Sequence, residues 1–401
     1  MKISSVKKYN TPNLVFILSL IVFFLDAIVN RFISIPIYVS TLPIFTLTLL
    51  FLYKNIFLYV FILFSTLLLA SSYFYSLTIE DIGYFFYFLF FIFSFFYLKK
   101  ELLNNNIILS LPLFYFIFFL TCLFFWVYLI NIDYQPHVAD MSAKGANIEY
   151  YREYHSGLFR APHFPSYLFY FVSLTIFYFR KKLGKYKTFI FILICIMAIL
   201  ISGSRTPIFS LIFASLIYFS TSRLRNITLS FLIIILVGIL FINIEFILEL
   251  SKGTPFFQYL SFIYTLKNEP ERLSRIQLFF VFINSVKDFS IYELFFGRSF
   301  SEQFEVMQSY IGQRLWFHND ILAIFYSYGL VGIVIFTTVI ISIYIKLIRP
   351  SNNTTINIYF LSIIVFSFVN GILYHPSYII ITLLFWMLKN ERSSSCIHSV
   401  R

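Results

Sequence analysis

Long runs of apolar residues recur along the whole chain and determine its predicted architecture. A membrane-spanning helix needs ~20 predominantly apolar residues. The runs near that length are 13–29, 33–53, 56–77, 82–98, 107–130, 164–179, 188–203, 206–221, 227–248, 320–345, 356–374 and 377–388. We therefore predict an all-α polytopic membrane protein with about 12 transmembrane helices. The first run is long and has no small-residue cleavage site after it, so we expect a retained span rather than a signal peptide.

Basic residues cluster in the short linkers between these runs. The clusters include Lys99 and Lys100, the stretch 180–187, and Lys346 and Arg349, and they occupy alternate gaps. This alternation is the positive-inside pattern, which predicts that the basic linkers and both termini are cytoplasmic. The formal net charge of +12 comes from these basic linkers and reflects the membrane topology. We therefore expect no nucleic-acid partner.

Two connections are much longer than the others and carry charges of both signs. They are residues 131–163 and 249–319, and the topology places both outside the cytoplasm. The chain is thereby divided into an N-terminal five-helix part (1–130), a first periplasmic loop (131–163), central helices (164–248), a large periplasmic loop (249–319), and C-terminal helices with a cytoplasmic tail (320–401). Long loops are commonly functional, so we expect the chemistry there.

The larger loop contains a predicted amphipathic helix at 271–289. Ile276, Phe279, Phe280 and Ile283 recur at helical spacing, which is typical of a helix lying on a membrane surface.

Composition excludes a soluble globular class. Hydrophobic residues make up 60% of the chain and charged residues only 12%, against about 25% charged in soluble domains. The abundant aromatic residues fit lipid contact and interfacial belts. The cysteines Cys122, Cys195 and Cys396 suggest neither a disulfide framework nor a metal site, and nucleotide-binding phosphate loops are absent from the sequence. We expect no cofactor, and any energy for a reaction must come with the substrate.

Four polar segments on the predicted outer side are candidates for chemistry. In Ser204-Arg205-Thr206-Pro207, Arg205 either anchors the helix end by snorkelling or binds phosphate through its paired donors. Arg272 and Arg275 lie one helical turn apart and face either anionic lipid or a substrate diphosphate.

The other two segments contain histidines. One of them is 314–320, which includes Arg314, His318 and Asn319. In one interpretation, Asn319 or the following Asp320 caps a helix. In the other, the His318 imidazole accepts a proton from a sugar hydroxyl. In 151–165, Arg160 and His163 lie either in a plain solvated loop or beside the same site.

The order of these segments resembles the O-antigen polymerase and ligase superfamily of bacterial inner membranes. The similar stretches are HSGLFRAPHFPSYL, with His163 where Asn is more usual; ILISGSRTPIFSLI; RLSRIQLFFVFINSV followed by ELFFGRSF, with Ser299 in place of a second glycine; and HNDILAIFYSYGLVGI. The replacement at Ser299 puts the shape of that turn in question. The first five spans show no specific match.

The resemblance implies a metal- and nucleotide-independent glycosyltransferase that acts on undecaprenyl-diphosphate-linked oligosaccharide at the periplasmic face. On this basis Arg205 and Arg275 are expected to clamp the diphosphate and His318 to activate the acceptor hydroxyl. Arg160, Arg272, Arg314, Asn319 and His163 are expected to bind substrate. Expected partners are the bilayer and the chain-length regulator and flippase of the same lipopolysaccharide pathway.

Three functions are compatible with this pattern. The preferred one is a polymerase that joins repeat units by inverting transfer. A ligase that transfers the chain to lipid A–core is the first alternative, and a lipid-linked oligosaccharide flippase or another transporter is the second. Transporters usually contain internal repeats, and the two halves of this sequence show none.

Overall fold

The structure of the chain is a computed structural model. It describes residues 56–73, 75–101, 111–126, 155–159, 163–208, 210–211, 244–251, 257–268, 274–312, 315–351 and 353–373, with shorter stretches within 18–46 and 378–388. Within these ranges every regular element is a helix, in agreement with the predicted all-α class. The predicted spans 33–53, 206–221 and 227–248 lie largely outside the described residues.

The helices are numbered in chain order. They are α1 (Ile56–Ser71), α2 (Ile79–Glu101), α3 (Leu111–Trp126), α4 (His163–Tyr178), α5 (Arg180–Leu183), α6 (Lys185–Ser202), α7 (Ile244–Leu250), α8 (Phe257–Asn268), α9 (Ser274–Lys287), α10 (Ile291–Phe296), α11 (Glu302–Ile311), α12 (Asp320–Ile343) and α13 (Thr354–Val369). A π-helical turn, Tyr344–Ile348, and a 3₁₀ turn, Arg349–Ser351, extend α12.

Two of the described helices are long and apolar enough to cross a membrane. These are Lys185–Ser202, which is α6, and Asp320–Lys346, which is α12 with its extension. In the apolar 18-residue stretch of each helix, only 22% and 28%, respectively, is buried inside the protein. The core helix of a soluble protein is mostly buried, whereas these helices turn large apolar side chains such as Phe189 and Val334 outward. That pattern is typical of helices surrounded by lipid.

Helix α4 forms the centre of the described bundle. Every residue from Pro165 to Ile176 is buried, and the helix packs against α3, α6 and α13. A helix that is apolar on all sides is expected at the core of an assembly. Its few polar groups are bonded internally, as in the 2.6 Å hydrogen bond between Tyr170 Oη and Ser362 Oγ. This central position places both ends of α4 among the ends of its neighbours.

Helix α12 is interrupted at Gly329, where φ is 61° and ψ is −159°. The predicted span 320–345 is therefore helical but not continuous, which sequence periodicity did not indicate. The turn after α10 docks at the interruption: the Arg298 N–H donates to the Tyr326 carbonyl at 2.8 Å and the Ser299 N–H to the Ser327 carbonyl at 3.4 Å. These bonds satisfy carbonyls that the break would leave without helical partners.

The described part of the second loop forms a small core of its own and is tied to the bundle. Leu278 and Val281 of α9 pack with Met307 of α11. The Asp81 carboxylate at the start of α2 accepts hydrogen bonds from the Ser301 N–H at 2.8 Å and from Ser301 Oγ at 2.9 Å. Beside them, the rings of Tyr84 and Phe300 stack with centroids 3.7 Å apart. The loop thus has a defined position over one end of the bundle.

Gly329→Ala tests this docked arrangement. A β-carbon at Gly329 would collide with the backbone of Phe295 and Phe296, whereas Gly312, also at positive φ, has open space around it. Gly312→Ala carries a left-handed strain of about 1 kcal/mol, whereas Gly329→Ala combines a conformation open almost only to glycine, costing about 1–3 kcal/mol, with the collision. We expect a clearly larger loss of Tm for Gly329→Ala than for Gly312→Ala in thermal unfolding of the purified protein. Equal losses would contradict the close approach of α10 to α12.

Candidate active site at the helix ends

Four helices bring one end each to the same place. These are the start of α4, the end of α6, the start of α12 and the end of α13, which meet through contacts of α4 with α6 and of α13 with both α4 and α12. The opposite ends of the same helices carry the basic residues Arg180, Lys181, Lys182, Lys185, Lys346 and Arg349. Of the residues predicted to be functional, His163, Arg205, His318 and Asn319 therefore lie at the end of this group that is remote from the basic clusters.

His163 contacts the segment that follows α6. Its Nδ1 lies 3.0 Å from Ser204 Oγ, and Ser204 is buried. Gly203, at φ 73°, ends α6 in a left-handed conformation, so that the chain turns and places Ser204 and Arg205 at the start of the next helical turn. Arg205 is partly buried there. His163, the last residue of the predicted first loop, thus contacts the Ser-Arg-Thr junction.

One helical turn further along α4, Tyr167 connects to the end of α13. Asn370 Nδ2 donates a hydrogen bond to the Tyr167 hydroxyl, and both residues are fully buried. The Tyr167 ring lies 6.1 Å from that of His163 and stacks on Phe366 at 4.6 Å. Sequence reasoning missed this pair because both residues lie in apolar runs. An asparagine at the end of such a run was the available signal.

Asp320 binds the turn that follows α13. Its Oδ2 accepts hydrogen bonds from the Ile372 N–H at 2.7 Å and the Leu373 N–H at 3.1 Å. Gly371 precedes these donors at φ 70°, and a β-carbon there would collide with the Trp316 ring. A buried carboxylate with two backbone donors fixes the position of this turn against the segment that leads into α12.

Asn319 caps α12, as one of the two interpretations of that segment predicted. Its Oδ1 accepts from the Ile321 N–H at 2.9 Å and the Leu322 N–H at 3.1 Å, and its Nδ2 donates to the Phe368 carbonyl at 2.5 Å. The amide is thus engaged on both sides by backbone groups and joins the start of α12 to the end of α13.

His318 has an uncommon backbone conformation for a residue other than glycine, with φ at 51°. Its ring centroid lies 5.2 Å from that of Trp316, and the residue is half-buried. Backbone strain of this kind is concentrated at functional sites, where the surrounding structure holds it in place. Here the cap at Asn319 and the packing of Trp316 hold it.

A series of contacts and chain neighbours connects two of the three principal predicted residues, Arg205 and His318. From Arg205 they run through Ser204 and His163 to Tyr167 and Asn370, and then through Gly371 and Trp316 to His318. Helix α9 lies next to this path, because Phe282 packs edge-on against Phe317 at 5.4 Å. Arg275 is in the first turn of α9, and its side chain is outside the described set, as are Arg160, Arg272 and Arg314.

The turn with Ser299 keeps a glycine-like shape despite the serine. Gly297 has φ 80° and Ser299 has φ 83°, so Ser299 takes up the left-handed conformation that a second glycine would adopt. Its hydroxyl lies 3.2 Å from Ser301 Oγ, a local hydrogen bond of the kind that small polar residues form in turns. The question raised by the sequence is thus answered by the geometry.

A charged cluster that sequence reasoning missed lies beside this turn. Glu293 Oε1 accepts from Arg298 Nε at 2.7 Å and from the Tyr75 hydroxyl. The Ser290 N–H also donates to this carboxylate, at 2.7 Å. The cluster joins α10 to the α1–α2 connection.

His155 anchors the described part of the first loop. Its Nε2 lies 3.0 Å from the Phe125 carbonyl at the end of α3. Burial lowers its pKa, although the hydrogen bond to that carbonyl acts in the opposite direction. A neutral, buried histidine bonded to backbone has a structural role. In the part of the chain that the structure describes, no cluster of three or more His, Cys, Asp or Glu side chains is arranged to hold a metal ion.

Comparison of the chain with protein-family models and with curated proteins finds no match. An interpretation of its function therefore depends on the motifs and on the geometry described above.

Asp320→Ala tests the role of the carboxylate at the helix ends. The substitution leaves the buried N–H groups of Ile372 and Leu373 without an acceptor, at a cost of about 1–3 kcal/mol each. We expect a large decrease in Tm for Asp320→Ala and a much smaller one for Asp320→Asn, whose amide oxygen can still accept. The exposed Asp288 offers a matched control, since Asp288→Ala removes a carboxylate that has no backbone donors. A Tm for Asp320→Ala equal to that of Asp288→Ala would show that the contact contributes nothing.

Proposed function

We propose that the protein is a glycosyltransferase of the O-antigen polymerase type, which joins undecaprenyl-diphosphate-linked repeat units. In this proposal it crosses the bacterial inner membrane about twelve times, with both termini in the cytoplasm and the active site on the periplasmic face. The two span-length helices and their outward apolar surfaces support a membrane location. The basic clusters at one end of the bundle support the orientation.

One observation carries the proposal. Contacts among the helix ends connect three distant stretches of chain, near 163, 204 and 318, at the end of the bundle that is remote from the basic clusters. The convergence includes a partly buried guanidinium at Arg205 and a half-buried imidazole at His318. An enzyme that transfers a sugar from a lipid diphosphate needs both types of group: a fixed cation for the leaving group and a base for the acceptor.

The proposed reaction is a single displacement. The acceptor hydroxyl oxygen attacks the anomeric carbon of the lipid-linked sugar, His318 takes the hydroxyl proton, and the bond from that carbon to the diphosphate oxygen breaks. The configuration at the anomeric carbon is inverted. Negative charge grows on the departing diphosphate, and fixed guanidinium donors stabilise it by roughly 3 kcal/mol each in comparable sites. Arg205 and Arg275 have this role, and Arg160, Arg272 and Arg314 extend the binding surface.

The surrounding residues hold these groups in position. His163 bonds Ser204, the neighbour of Arg205, and Asn319 and Asp320 fix the backbone that follows His318. Such positioning places reacting groups in a productive geometry before the substrate arrives.

A ligase would use the same chemistry with a different acceptor. A deletion strain separates the two functions. Loss of a polymerase leaves lipid A–core with a single repeat unit, whereas loss of a ligase leaves unsubstituted core and accumulated lipid-linked polymer. The second phenotype would replace the polymerase proposal by the ligase.

His318→Asn tests the proposed base. Asparagine tolerates positive φ, so that the fold is kept, but its amide cannot accept a proton at neutral pH. Loss of general-base catalysis is expected to lower the rate by roughly 10²–10⁴-fold in an assay of polymer formation from lipid-linked repeat units, with an unchanged Tm. A variant with wild-type rate and chain length would remove His318 from the mechanism.

Arg205→Lys and Arg205→Ala test the proposed clamp. Lysine keeps the charge but loses the paired donors of the guanidinium, so we expect an intermediate rate for Arg205→Lys and a loss of roughly 10²-fold or more for Arg205→Ala. Arg349→Lys and Arg349→Ala, at the opposite end of the bundle, serve as matched controls and should retain activity. If the Arg205 and Arg349 variants behave alike, Arg205 does not contact the leaving group.

A further inference from the structure

Helix α10 has the reverse of the amphipathic pattern found in soluble proteins. Its large apolar side chains point outward: Ile291 is 79% exposed, Phe295 46% and Leu294 37%. Its charged residue, Glu293, points inward and is 8% exposed. In water this arrangement would expose apolar surface and bury charge, both of which cost free energy. It is favourable where the surrounding medium is apolar.

The inward carboxylate is fully bonded within the protein. Glu293 accepts from Arg298 and Tyr75, and its Oε2 accepts from the Ser290 N–H at 2.7 Å in a capping box. Charged residues at membrane depth face the protein interior and pair with one another in this way.

Helix α9 next to it is apolar on two opposite faces. One face, with Leu278 and Val281, packs in the core shared with α11. On the other, Phe279 is 48% exposed and Phe280 56%, and Ile276 and Ile283 belong to the same outward stripe that periodicity predicted. Exposed Gln277, Asn284 and Lys287 border this outward face, a mixture of apolar and polar side chains that is typical of a helix at a membrane boundary. The described chain covers only one of these faces.

The position of α10 along α12 indicates how deep this surface lies. Helix α10 packs against α12 at Gly329, nine residues after the first residue of α12, Asp320. At 1.5 Å per residue this is roughly 13 Å along the helix axis. The helix therefore lies beside the first half of α12 and level with the end of α1, where the Tyr292 hydroxyl donates to the Ala70 carbonyl. The turn from Gly297 to Ser299 has its N–H groups bonded to the broken helix, as irregular backbone at membrane depth requires.

We propose that α9 and α10 lie partly in the outer leaflet and that their outward face contacts lipid acyl chains. Phe279, Phe280, Ile291, Leu294 and Phe295 make up this face. The sequence predicted a membrane-surface helix at 271–289, and the proposal extends the lipid contact to α10. The inference requires α12 to cross the bilayer, but it does not depend on the proposed reaction.

Spin labelling tests the location directly. In a variant with Cys122, Cys195 and Cys396 replaced by Ala, single cysteines at positions 280, 291 and 294 carry a nitroxide, and the protein is reconstituted in phosphatidylethanolamine–phosphatidylglycerol vesicles. Collision rates with oxygen, which partitions into acyl chains, and with a water-soluble nickel chelate are measured by power saturation. Position 334, an outward residue of α12, is the membrane reference, and the exposed polar positions 305 and 308 of α11 are the aqueous reference.

The proposal predicts that labels at 280, 291 and 294 collide with oxygen as at 334 and are protected from the nickel chelate at least several-fold relative to 305 and 308. Nickel collisions as frequent as at 305 would overturn it, because the face would then be in water. Low collision rates with both reagents would also overturn it, because another protein surface would then cover the face.

A second measurement covers the case in which the cysteine-free variant does not fold. Ile291→Glu in the native background is expected to lower the Tm in vesicles by roughly 5 °C, because a carboxylate is placed in hydrocarbon. Tyr310→Glu, an equally outward position of α11, should leave the Tm unchanged. Equal Tm values for the two variants would contradict a lipid-facing α10.

Discussion

The broken backbone of α12 is the constraint on which the described structure depends. At Gly329 the helix loses its regular hydrogen bonds, and carbonyl groups inside an apolar bundle need other donors. The turn after α10 provides them through the N–H groups of Arg298 and Ser299. Because this turn fits only where Gly297 and Gly329 lack side chains, the second loop is held in one register against α12. That register places α9 next to Phe317 and so next to His318.

The candidate site and the ends of the bundle are built from the same side chains. Helix ends leave backbone groups without helical partners, and here Asn319 and Asp320 satisfy several of them across the junction between α12 and α13. His163 and Tyr167 extend this network to α6 and α13. Residues engaged in this way cannot also bind substrate with the same atoms. In the proposed reaction the chemistry falls to their neighbours, Arg205 and His318, which the network holds in position.

The inside-out character of α10 connects the site with its proposed substrate. If the loop that carries Arg275 lies partly in the outer leaflet, a lipid-linked sugar can reach the helix ends while its isoprenoid tail stays among acyl chains. The ion pair of Glu293 and Arg298 then stabilises a loop that has apolar surroundings on its outer side. A loop held wholly in water would require the diphosphate headgroup to be lifted further from the membrane surface.

The sequence by itself determined the helical class and identified the polar segments that are proposed to carry chemistry. Hydrophobic run length and the alternation of basic linkers are local properties, and the chain has to satisfy them whatever its packing. The cap at Asn319 was likewise predicted from the residue type at the start of the apolar run, and the outward stripe of α9 from helical spacing. Only the tertiary structure decided the break at Gly329, the positive φ of Ser299, and the pairs Tyr167–Asn370 and Tyr75–Glu293. The two pairs join residues about 200 positions apart, and no periodicity along the chain encodes which distant backbone or side chain will fill a given gap.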